Sequence, residues 1–162
     1  MAEMTTLKRS SGGWVPVIRA PVTIAVASPA ARFALRGGPI VAKRAGDVFG
    51  PALPTTPCAV TQAGRRAAMW LGPDEWLLLA DPEEPAVLAA SLESTLRDEP
   101  HSLVDISHRQ IGLVVGGRGA QRLLRAGCAL DLHPEAFPVG MAARTVLAQA
   151  EIVLWRPVEE SF

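Results

Sequence analysis

The chain has 162 residues, enough for one domain or for two small halves sharing a core, and 49% of them are hydrophobic. Its 16 Lys and Arg balance 16 Asp and Glu. With no global field to attract phosphate backbones or anionic lipid, nucleic-acid and membrane-surface partners are disfavoured, and runs such as Trp76 to Ala80 are far too short to span a bilayer.

Residues 1–31 read as an irregular N-terminal arm, with Ser10-Ser11-Gly12-Gly13 as a flexible stretch and Trp14 as its one obvious anchor. Pro16, Arg19 and Pro21 interrupt the apolar stretch 15–27, which is therefore a poor secretory signal. Cys58 and Cys128 lie far apart without CxxC spacing, so the expectation is reduced, buried thiols in a cytoplasmic protein.

From Arg32 the pattern becomes regular. Phe33-Ala34-Leu35 predicts a strand, Gly37-Gly38-Pro39 a turn, and Ile40 to Ala45 a short helix closed by Gly46. Pro51, Pro54 and Pro57 exclude regular structure in the connector that follows. Ala67 to Leu71 and Trp76 to Ala80 flank Pro73 as a hairpin. Asp81-Pro82-Glu83 then supplies a cap and a first-turn acid for a helix running to about Arg97, with Val87, Leu88, Leu92 and Leu96 at helical spacing.

The second half repeats this grammar. Strands are expected near Ser102 to Asp105 and Gln110 to Val115, a helix from Arg118 to Ala126 ended by Gly127, and a hairpin from Arg144 to Ala148 and Glu151 to Arg156. Gly37-Gly38 with Arg44-Ala45-Gly46 parallels Gly116-Gly117 with Arg125-Ala126-Gly127, which points to an internal duplication within one domain of 32–162, its halves about 32–98 and 102–162. Short connections and hairpins favour an α+β fold with a largely antiparallel sheet and flanking helices.

The densest chemistry lies in Asp105-Ile106-Ser107-His108-Arg109-Gln110. In a turn, Asp105 could orient His108 while Arg109 reaches a carboxylate, and the competing reading is a network of side chains bonding the turn's own backbone. The three histidines lack metal-ligand spacing, no GxSxG elbow is present, and Gly117-Arg118-Gly119-Ala120 carries Arg122 where a dinucleotide loop needs its third glycine. Neither a metal nor a cofactor bound by this chain alone is expected. Trp70, Trp76 and Trp155 sit on strands flanked by apolar neighbours on both sides, so both sheet faces should be covered, and the three are candidate interface anchors.

Leu71-Gly72-Pro73-Asp74-Glu75-Trp76, Asp105 to Gln110, Asp131-Leu132-His133-Pro134 and Phe137-Pro138-Val139-Gly140 together resemble the gamma subunits of heterotetrameric sarcosine oxidase. More distantly, the Asp-hydrophobic-Ser-His turn is similar to that of the folate-binding aminomethyltransferases, the T-proteins. The resemblance implies a T-protein-like folate-binding fold and alpha, beta and delta partner subunits. It also implies that FAD, FMN, NAD and tetrahydrofolate belong to those partners, in an assembly that oxidises sarcosine to glycine. Where the T-protein pattern expects Gly-Gly and paired Asp, this chain has Ala150-Glu151-Ile152-Val153-Leu154-Trp155. With the catalytic carboxylate replaced, the resemblance implies a subunit that is not catalytic alone, its Asp105, Ser107, His108, Arg109 and Arg144 being ligand or partner contacts. T-proteins also continue past the position of Phe162 through a further strand, which would leave a sheet edge open here. The alternative from another class is a free-standing folate-binding protein that uses Asp105, His108, Arg109 and Arg144.

Overall fold

The computed structural model describes residues 6–10, 13–17, 21–82 and 85–162. Strand β1 (Thr6–Ser10) pairs antiparallel with β2 (Gly13–Val17), and β3 (Thr23–Val26) follows. The irregular course expected for 1–31 is thus corrected at three strands, while the side chain of Trp14 lies outside the described residues.

Strand β4 (Ala31–Gly37) buries Ala31, Phe33 and Leu35 and turns Arg32 and Ala34 to its other face, the period-two signature of a strand with two different neighbours. Helix α1 (Pro39–Phe49) begins with proline in its first turn and buries Val41, Ala42, Ala45 and Phe49. It does not stop at Gly46 as expected. It runs on to Gly50, whose φ of 110° closes it with an N–H donated to the Gly46 carbonyl at 3.1 Å. Gly46 serves packing instead, since a Cβ there would stand 3.1 Å from the Cα of Ala52. The helix therefore continues through a glycine that sequence reading takes for a stop.

After the proline-rich connector, β5 (Val60–Ala63), which the sequence does not announce, joins β6 (Arg66–Gly72) and β7 (Glu75–Ala80). Helix α2 (Pro85–Leu96) places Leu88, Leu92 and Leu96 inward at a spacing of four, while Val87 faces solvent. Its expected first-turn acid, Glu83, lies outside the described residues. Strand β8 (His101–Asp105) completes an antiparallel five-stranded sheet of order β5-β6-β7-β4-β8. Strand β9 (Leu113–Gly116) leaves it to pair with β3, so the Asp105–Gly112 segment crosses between two sheets and is not a hairpin turn.

Helix α3 (Ala120–Leu124) is shorter than the sequence suggests, and β10 (Ala142–Leu147) and β11 (Ala150–Trp155) form the expected second hairpin. The observed α+β architecture, with every strand pair antiparallel, agrees with the sequence-based fold class. No described helix is long and apolar enough to cross a membrane.

Both faces of the five-stranded sheet are covered, as the flanking apolar residues imply. On one face Phe33, Leu35, Trp76 and Leu78 pack against Phe49, Leu92 and Leu96 from α1 and α2. Each such fully buried side chain contributes roughly 1.5–3 kcal/mol. On the other face Met69 and Leu77 meet Ala142, Val153 and Trp155 of the β10–β11 hairpin, so the chain covers this face with its own second half. A further cluster gathers Leu124, Leu132, Phe137, Leu154 and Phe162. Cys58 and Cys128 are free thiols at its margin, half-buried and not fully buried as expected.

Candidate functional site

The Asp105 turn is built by its own side chains. Asp105 Oδ1 accepts hydrogen bonds from the Ser107 amide at 2.8 Å and the Ser107 hydroxyl at 2.5 Å, an Asx-type closure that ends β8. The Ser107 hydroxyl in turn accepts the Arg32 amide at 2.9 Å, and the Ile106 amide donates to the Arg32 carbonyl at 2.8 Å. The motif is therefore fastened to the start of β4. The Ser107 hydroxyl, then its amide, and then the nearby His108 hold the Asp105 carboxyl below its usual range. Asp105 makes its hydrogen bonds to Ser107 and does not orient His108 through one. The His108 and Arg109 side chains are exposed and have no hydrogen bond or ion pair among the described residues.

Arg144 is engaged elsewhere. Its guanidinium forks onto the Glu75 carboxylate, with Nη1 at 3.3 Å from Oε2 and Nη2 on Oε1, and its Nε lies 3.6 Å from Glu151. The Glu75 hydrogen bond is the main reason the guanidinium's pKa is raised. Glu75 opens β7 and Arg144 lies in β10, so the pair ties the second hairpin to the first.

An open groove of about 710 Å³ lies where Leu77 and Leu79 of the sheet, the Arg109–Val115 crossover and Glu151–Trp155 of β11 approach one another. Arg32, Arg65 and Arg109 stand around it, and Arg65 is paired with Asp81 at 2.9 Å. Of the five polar residues singled out by sequence, the groove lining includes Arg109 and leaves out Asp105, Ser107, His108 and Arg144. Arg32 and Arg65 were missed by sequence reasoning. The signal for Arg32 is its position between buried Ala31 and Phe33, which sends its side chain to the second sheet face. No comparable pattern marks Arg65.

The tryptophans divide. Trp76 is only 2% exposed and donates its indole N–H to the Pro54 carbonyl at 2.8 Å, so it belongs to the core and is corrected as an interface anchor. Trp70 is half-buried against the first core. Trp155 is half-buried against the second sheet face and lines the groove. Among the described residues, no three His, Cys, Asp or Glu side chains come together as a metal-ligand set.

Residues 36–162 match the model of the "Sarcosine oxidase, gamma subunit family". The sarcosine oxidase subunit gamma of Corynebacterium sp. (strain P-1) is 45% identical over 96 residues, 59% of this chain and 46% of that protein. The chain thus spans about half the length of the curated relatives it matches. A chain of the heterotetrameric sarcosine oxidase from Corynebacterium sp. U-96, solved with pyrrole 2-carboxylate, superposes with a TM-score of 0.80 at 33% identity, covering 86% of this chain and 72% of that one. Aminomethyltransferase T of the glycine cleavage system from Bartonella henselae superposes with a TM-score of 0.57 at 12% identity, covering 89% of this chain and 45% of that one, a likeness of fold alone.

Proposed function

This chain belongs to the sarcosine oxidase, gamma subunit family, and we propose that it serves as the structural, non-flavin gamma subunit of a cytoplasmic heterotetrameric sarcosine oxidase. The observation that carries this reading is the family match over 36–162, which the fold likeness to a chain of such an enzyme supports. In this assembly the alpha, beta and delta subunits hold FAD, FMN, NAD and tetrahydrofolate. The complex oxidises sarcosine to glycine, passes electrons to oxygen to give hydrogen peroxide, and hands the one-carbon unit to tetrahydrofolate.

The side chains of this chain favour a scaffold over a catalyst. Asp105 and Ser107 are occupied in closing a turn, and Arg144 is occupied by Glu75. The free-standing folate-binding alternative needs Asp105, His108, Arg109 and Arg144 around one ligand, and Arg144 faces Glu75 instead.

Co-expression with the other three subunits of a sarcosine oxidase tests the proposal. The expected outcome is stoichiometric co-purification in a flavin-bearing complex. A chain that remains a stable monomer beside those subunits at micromolar concentration overturns it. Calorimetry with tetrahydrofolate on the chain alone tests the alternative, which requires saturable binding abolished by Arg109→Ala.

A further inference from the structure

The β3–β9 ribbon carries an apolar face that the rest of the described chain leaves uncovered. Ile24 pairs with Val115 and Val26 with Leu113, so these four side chains share one face of the ribbon. The Ala27 amide donates to the Gly112 carbonyl at 2.9 Å and extends the ladder, which sets Ile111 on the same side. Val115 packs into the Phe137 cluster, but beyond it the face runs out into water: Leu113 is 58%, Ile24 60%, Val26 73% and Ile111 80% exposed. Four such side chains leave on the order of 500 Å² of apolar surface, near the top of what a monomer shows in one patch and over half of what one partner gives to a standard interface.

The ribbon also has an unused edge. Val115 directs its own N–H and C=O to Phe162, at 2.9 and 3.0 Å, and so away from β3. Ile24, opposite it, must turn its peptide groups outward, and Val26 does the same two residues on. No described strand pairs with that edge. Of the guanidinium groups around the adjoining groove, Arg65 is matched by Asp81, whereas Arg32 and Arg109, the latter two residues from Ile111, have no carboxylate partner among the described residues.

We propose that the β3 edge and the apolar face of the β3–β9 ribbon, where it borders the groove, receive an extended, apolar segment of another subunit that carries a carboxylate opposite Arg109. The inference rests on the gamma-subunit reading above and names the surface through which it acts. Backbone pairing along Ile24 and Val26 would supply affinity, and the apolar pockets with Arg109 would supply selectivity.

Hydrogen exchange on the full chain, alone and in the assembled heterotetramer, is the direct measurement. The Ile24 and Val26 amides are expected to slow at least about tenfold on assembly, and Arg109→Glu or Leu113→Asp is expected to weaken assembly at least about tenfold. Val139→Asp, at an exposed apolar residue of another segment, serves as the control and should assemble normally. Arg109→Glu keeps the test valid if Leu113→Asp lowers the melting temperature, because the exposed Arg109 side chain does not belong to the core. A heterotetramer that forms with these amides still exchanging freely overturns this inference and leaves the gamma-subunit reading standing. Failure of any heterotetramer to form overturns both. Protection of the same amides in the chain alone, with a dimer in sedimentation, assigns the face to a second copy and overturns the proposed partner.

Discussion

Ser107 stands between Asp105 and β4: its hydroxyl donates to Asp105 Oδ1 at 2.5 Å and accepts the Arg32 amide at 2.9 Å. Ser107→Ala removes both functions and leaves a part-buried amide without its acceptor, for an expected loss of about 1–2 kcal/mol, or roughly 2–8 °C in Tm at this chain length. The carboxyl of Asp105 is held below its usual range, chiefly by that hydroxyl. Its contribution is therefore complete above the ordinary carboxylate pKa, about 4, and is lost as pH falls through the depressed folded value. Asp105→Ala should accordingly lose less stability than the parent on acidification, which urea titrations at stepped pH would show.

His101 carries the opposite sign. Its Nδ1 faces the Glu99 carbonyl at 2.8 Å and its Nε2 faces Glu93 at 3.1 Å, joining β8 to α2, with its side chain 11% exposed. The Glu99 carbonyl, with Glu93 adding, raises the imidazole pKa against the opposing effect of burial. This contribution is fully present below the unfolded value near 6.5 and disappears as pH rises through the raised folded value. Glu93→Gln is expected to lower the His101 pKa, read from its ring proton shifts. His101→Ala should flatten the stability profile above neutrality.

The Arg144–Glu75 fork links hairpins from the two halves of the chain, and its worth is limited by solvent. Arg144 keeps 41% of its side-chain surface exposed against 19% for Glu75. A double-mutant cycle with Arg144→Met and Glu75→Gln should therefore return a coupling of about 0.5–1 kcal/mol and not the several expected of a buried pair. Arg144→Lys should lose part of it, since a point charge cannot span both carboxylate oxygens. Chemical denaturation in low and high salt checks both statements.

Periodicity made the covered sheet legible. Alternation in Ala31, Phe33 and Leu35, the spacing of Leu88, Leu92 and Leu96, and the Trp70–Trp76 hairpin each report a local contact with a core. What resisted reading depends on contacts between distant segments. The Asp105 turn spells a plausible catalytic cluster in one dimension, and only the approach of Arg32, 75 residues earlier, assigns the Ser107 hydroxyl to the backbone. Arg144 reads in the sequence as a ligand or partner contact, and the carboxylate it meets in the fold, Glu75, lies 69 residues away. Strand β3 escaped notice because its pairing with β9 spans nearly 90 residues and none of its side chains is buried, so it has no inward and outward alternation to detect.

The two Gly-Gly pairs that suggest a duplication do different physical work, and single substitutions should separate them. At Gly117 φ is +98°, and a Cβ would stand 2.4 Å from the Pro21 carbonyl oxygen, a backbone atom held by the Gly119 amide at 3.4 Å. Gly117→Ala must therefore both strain its own dihedrals and push the residues leading into β3 away from β9, at a cost of roughly 2–3 kcal/mol. Gly38 is the contrasting case: φ is −78° and a Cβ would meet nothing within 4 Å. Gly38→Ala should alter stability by no more than about 0.5 kcal/mol, because the loss from alanine's poorer capping of α1 is offset by its tighter restriction of the unfolded chain. Paired thermal melts of the two variants check the difference. Hydrogen exchange adds a local signature, since Gly117→Ala should speed exchange at Ala25 and Ala27 while leaving the five-stranded sheet protected. Equal melting temperatures for the two variants would mean that the Pro21 approach is not rigid and that the ribbon can move away without loss.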